Sequence, residues 1–74
     1  MSITTRVKRI IAEHLNLSPE DIAVTSDISA YGPDSLDLVE IVFLLEEEFG
    51  IDISDEACKS LKTVGDIIAF VEKS

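Results

Sequence analysis

Apolar residues in this chain recur at spacings of three and four in separate stretches, and no run of strand length alternates at every second position. That periodicity predicts helices and excludes a sheet. Ile3, Val7, Ile10, Ile11, His14 and Leu15 form one stripe, so the first helix runs from about Ile3 to Leu15, and Asn16 is a plausible stop. Thr4, Arg6, Lys8, Arg9 and Glu13 fill much of its other side. The second helix runs from Asp34 or Ser35 to Phe49, and Gly50 ends it as a left-handed cap. Leu38, Ile41, Val42, Leu45 and Phe49 share one arc of it, which predicts the core face. Thr63-Val64-Gly65-Asp66 reads as a variant capping box that opens the last helix. Val64, Ile67, Ile68 and Val71 supply that helix's core stripe, with Phe70 also expected inside.

The connections are legible as well. Ser18-Pro19-Glu20-Asp21 has the chemistry of a helix start, but Val24-Thr25-Ser26-Asp27 carries no helical period, so only a short turn is expected there. Residues 28–33 read as loop, punctuated by Gly32-Pro33. Ile51 and Ile53 flank Asp52 in a short extended link, and Ser54 caps a brief helix that ends near Ser60. The predicted fold is all-α, a small four-helix bundle of three main helices plus one short helix, forming a single domain over residues 1–74.

A chain of 74 residues suits one domain and leaves little material for the walls of an enzyme cleft. It is better suited to being handled by larger partners. Fifteen acidic residues face six basic ones, for a net charge of −9. No Lys or Arg occurs between Ile10 and Cys58, the stretch that holds thirteen of the acids. Such a field steers basic partners and disfavours nucleic acid and anionic membrane surfaces, both of which need cations. The apolar run from Ile41 to Leu45 is far too short to span a bilayer, and no signal peptide is visible. The single cysteine, Cys58, cannot form an internal disulfide and fits a reducing compartment. A cytoplasmic monomer is expected.

Chemistry-bearing groups are few. Cys58 and His14 are single residues of their kind, and nothing in the sequence brings them together as nucleophile and base. Asp27, Asp34 and Asp37 lack the spacing of a calcium loop, and Glu46-Glu47-Glu48 suits only diffuse neutralisation by divalent cations. No catalytic or metal-ligating residue is therefore assigned. Leu36, Val39 and Phe43 form a second apolar patch on the helix face nearly opposite the core arc, interleaved with Glu40, Glu46 and Glu47. Exposed apolar residues rimmed with charge mark a docking surface. Ser35 stands where the same helix begins. Spacing alone makes it a capping serine, although a phosphate ester would also be favoured at a helix N-terminus.

Gly32-Pro33-Asp34-Ser35-Leu36-Asp37 resembles the attachment motif of acyl carrier proteins, whose common form is Gly-x-Asp-Ser-Leu-Asp. Leu38-Val39-Glu40 and Leu45-Glu46-Glu47-Glu48-Phe49-Gly50-Ile51 follow as they do in that family, and Ile53-Ser54-Asp55-Glu56-Ala57 and Thr63-Val64-Gly65-Asp66 fall where its third and fourth helices begin. The resemblance implies a carrier of acyl thioesters on a 4′-phosphopantetheine arm at Ser35, installed by a phosphopantetheinyl transferase, with Asp34 assisting the metal at that stage. It implies a recognition face of Leu36, Asp37, Val39, Glu40, Phe43, Glu46 and Glu47 for basic patches on acyl-transfer, chain-elongating and chain-modifying enzymes. It also implies a helical core that can shelter cargo beside Leu45. Fatty acid biosynthesis is the pathway it favours. A carrier for a polyketide or aminoacyl pathway, or an unmodified acidic interaction domain, is the alternative. Ala30, Tyr31, Pro33 and Ser54 depart from the residues usual in fatty-acid carriers.

Overall fold

Each helix start is marked by a short polar side chain that accepts a backbone N–H three residues on. Ser2 accepts from Thr5 at 3.1 Å and opens α1, Ile3–Leu15. Asn16 closes it in the left-handed region, at φ 59°. Asp34 opens α2, Ser35–Phe49, which Gly50 ends at φ 64°. Ser54 accepts from Ala57 at 3.1 Å and opens α3, Asp55–Ser60. Thr63 and Asp66 exchange bonds across the first turn of α4, Val64–Lys73, in the capping box expected there. The computed structural model describes residues 2–32 and 34–74, with Ser35 placed by its backbone; the expected break at Gly32-Pro33 is described only as far as Gly32.

α1 packs against both α2 and α4. Val7 and Ile11 of α1, Ile41 and Leu45 of α2, and Val64, Ile67, Ile68 and Val71 of α4 close the core, with Ile22, Ile28 and Ile53 inserted from the links. Arg6 fastens the far end of α2 to α1. Its guanidinium pairs with the Glu48 carboxylate at 2.7 Å and lies 4.5 Å from the centre of the Phe49 ring.

Three sequence expectations need correcting. Leu38, expected in the core, is 41% exposed, because the six-residue α3 is too short to cover that part of α2. Phe70 is only half-buried. Residues 28–33, expected as loop, contain a 3-10 turn over Ile28–Tyr31, in addition to the one foreseen at Pro19–Asp21. Asp27 starts it by accepting from the Ser29 N–H at 2.9 Å and the Ser29 hydroxyl at 2.8 Å.

That turn is stitched to the start of α4. Ile28 N–H donates to Lys62 at 2.9 Å, Val64 N–H to Ser26 at 3.1 Å, and Gly65 N–H to Val24 at 2.8 Å. A Cβ at residue 65 would stand 3.2 Å from the Val24 carbonyl oxygen and 3.1 Å from its Cγ1, so glycine permits this approach. Among the described residues the only strand-like pairing is the isolated bridge between Asp27 and Thr63. No described helix is long and apolar enough to cross a membrane.

Candidate attachment site and docking face

The first turn of α2 is held by two carboxylates. Asp37 N–H donates to Asp34 Oδ1 at 2.9 Å, and Asp34 N–H donates to Asp37 Oδ2 at 3.1 Å. The cap is therefore Asp34, and Ser35 is the first helical residue, not the capping serine that spacing alone suggested. An Asp one position earlier accepts the same N–H groups and displaces serine from the task. The Asp34 N–H, with smaller help from His14, holds the Asp37 carboxyl below the usual carboxylate value. His14 Nε2, from α1, lies 3.2 Å from Asp37 Oδ1 and 3.4 Å from Glu40 Oε2. This tie escaped sequence reasoning, since nothing local links residues 23 positions apart.

Beyond the first turn, α2 presents the expected apolar patch. Leu36 is 70% exposed, Val39 64% and Phe43 56%, with exposed Glu40 and Glu47 beside them. Glu46 is different. It is half-buried, and its Oε2 accepts the Ile53 N–H at 2.7 Å, so one oxygen is occupied inside the molecule.

Between α2 and α3 runs an open groove of about 550 Å³, lined by Leu38, Val39, Val42, Phe43, Glu46, Ile53, Asp55, Cys58 and Lys59. Beneath it lies an inner apolar cavity of about 140 Å³, which reaches Ile41, Leu45 and Ile67. Leu38, Val42, Ile53 and Cys58 line both spaces and form a wall common to the two. The correction at Leu38 has a structural meaning here: it is a wall of the groove.

His14 and Cys58 are not brought together. The His14 ring nitrogen faces Asp37 and Glu40, while Cys58 faces the groove. Burial, and then the nearby Asp55 and Glu46, push the Cys58 thiol up, away from the nucleophilic thiolate. Among the described residues no cluster of three or more His, Cys, Asp or Glu could hold a metal ion.

Residues 5–71 match the family model described as a phosphopantetheine attachment site. The chain is 48% identical over 73 residues to the acyl carrier protein of Afipia carboxidovorans, covering 97% of this chain and 92% of that protein. It is 47% identical over 73 residues to the acyl carrier protein AcpP of Rhizobium meliloti, covering 97% and 94%. The solution structure of a candidate acyl carrier protein from Anaplasma phagocytophilum superposes with a TM-score of 0.87 at 32% identity, covering 99% of this chain and 89% of that one. The chain belongs to the acyl carrier protein family.

The prosthetic group of an acyl carrier protein is 4′-phosphopantetheine, and the residues present fit it. A phosphodiester at the first residue of a 15-residue helix would be favoured by the helix dipole and by first-turn N–H groups that lack an intrahelical acceptor. Asp34 and Asp37 oppose that charge, but each has an oxygen turned into the capping box. The groove beside α2 offers apolar walls with Glu46, Asp55 and Lys59 for polar contact, which suits an amide-bearing arm and its acyl cargo.

Proposed function

We propose that the chain carries acyl groups of fatty acid biosynthesis on an arm esterified to Ser35. The observation that carries this reading is the placement of Ser35 as the first residue of α2, inside Asp34-Ser35-Leu36-Asp37 and within the matched attachment-site region. The bound arm supplies a terminal thiol that holds acyl groups as thioesters. The chain's own residues do the rest. Asp34 caps the helix and assists the transferase's metal when the arm is installed. Leu36, Val39 and Phe43 offer apolar contact to partner enzymes, while Asp37, Glu40, Glu46 and Glu47 supply the charge that selects basic patches. Leu38, Val42, Ile53 and Cys58, which line both groove and cavity, can part to admit a chain toward Leu45. The partners are a phosphopantetheinyl transferase and the acyl-transfer, elongating and modifying enzymes. The carrier acts as a cytoplasmic monomer and catalyses nothing itself.

Co-expression with a phosphopantetheinyl transferase tests the reading. Intact mass should rise by one arm in the wild type and not at all in Ser35→Ala. An unchanged wild-type mass, with the transferase active on a control carrier, would refute it.

A further inference from the structure

The residue four positions before Ser35 is Tyr31, and it makes a contact that no motif requires. Its ring is half-buried and packs against the core, while its hydroxyl oxygen accepts the Ala23 N–H at 2.9 Å. One side chain therefore spans the link between α1 and α2 and joins its two halves. The turn that ends at Tyr31 is closed by the Gly32 N–H, which donates to the Ser29 carbonyl at 3.1 Å, with Gly32 left-handed at φ 74°. On the far side of residue 33, Asp34 is fixed by its exchange with Asp37, which His14 ties back to α1. The described residues on either side of residue 33 are thus each tied down, Tyr31 to Ala23 and Asp34 to Asp37.

We propose that Tyr31 is a positioning residue for the modification of Ser35, its hydroxyl anchoring the turn that precedes the modified serine. The inference rests on Ser35 being the attachment site. In the reaction, the Ser35 hydroxyl oxygen bonds to the pantetheine-bearing phosphorus of coenzyme A. The bond from that phosphorus to the oxygen of adenosine 3′,5′-bisphosphate breaks, and the serine proton passes to a base of the transferase or to water. An in-line displacement of this kind depends on the angle of approach, so a nucleophile held by a braced segment reacts faster than one on a loose segment. The Tyr31 hydroxyl is engaged by the Ala23 N–H. It acts through the turn it anchors and lies outside the exposed Leu36, Val39 and Phe43 patch, so its effect belongs to turnover and not to docking.

The test is Tyr31→Phe, which keeps the ring in its packing and removes the acceptor. Ala23 is exposed, so water can satisfy its N–H and the fold should persist. Transferase kinetics with coenzyme A, read by intact mass while the carrier concentration is varied, should show kcat about fivefold lower, the equivalent of one hydrogen bond of about 1 kcal/mol. KM for the carrier should stay within about twofold, on the ground that the docking face is unchanged. Amide exchange at Ala23 and Gly32 should quicken with no change in circular dichroism. Equal kcat in the two proteins, or a rise in KM alone, would overturn the proposal while leaving Ser35 as the site. A wild type that gains no mass under an active transferase would instead sink the attachment-site reading on which this one rests.

Discussion

Asp34, Ser54 and Thr63 do the same work at three helix starts: each accepts the N–H three residues on. In a fold this small such bonds are a sizeable part of net stability. Thr63→Ala should cost about 1 kcal/mol, a fall of about 4–8 °C in melting temperature, measurable by thermal or denaturant unfolding. Asp27, Asp37 and Asp66 all sit below the usual carboxylate value of 3.8, held there mainly by backbone N–H donors from Ser29, Asp34 and Thr63 respectively. A carboxyl depressed on folding stabilises fully above its unfolded value and loses that contribution as pH falls through the folded one. The stability advantage of wild type over Asp66→Asn should therefore hold from neutral pH down to about 4 and shrink below it. Denaturant midpoints across that range check this, and an advantage that grows in acid would contradict it. Sequence reasoning found Ser54 and Thr63 because a lone Ser or Thr preceded acids and apolar residues. It misassigned the cap at Ser35 because Asp34 and Ser35 are both strong caps side by side, and only geometry decides between neighbours.

At the level of elements, α2 has two apolar faces. One face closes the core through Ile41 and Leu45, and the opposite face leaves Leu36, Val39 and Phe43 open. Phe43→Ala should leave the melting temperature within a few degrees of wild type yet raise KM for a partner enzyme several-fold, as loss of an aromatic anchor does at other interfaces. A large drop in stability with unchanged KM would assign Phe43 to the fold instead. Glu46 and Glu47 are adjacent in sequence and unlike in role. Glu46→Ala strands the Ile53 N–H and should cost about 1–2 kcal/mol, whereas Glu47→Ala should cost almost none. Parallel denaturant curves distinguish them. A helical wheel revealed both faces of α2 but not how wide the buried one is. That width depends on what packs opposite, and the short α3 leaves Leu38 uncovered. The contacts from His14 to Asp37 and from Tyr31 to Ala23 were illegible for a related reason: they join positions whose proximity is created by the fold itself.

The whole molecule bears a net charge of −9 with its acids crowded between the two basic ends. Self-repulsion on this scale weakens the folded state, so salt or Mg²⁺ should raise the melting temperature between low and moderate concentration. A flat or falling melting temperature would show that local pairs such as Arg6 with Glu48 outweigh the global field. A field of that sign disfavours nucleic acid and favours basic surfaces, and an open groove runs beside α2. Family membership, the helix start at residue 35 and the open face of α2 all converge on one covalent event. Intact mass after exposure to an active phosphopantetheinyl transferase reads that event directly. The wild type should gain one arm and Ser35→Ala none; an equal gain in both, or none in either, would rule out Ser35 as the attachment site.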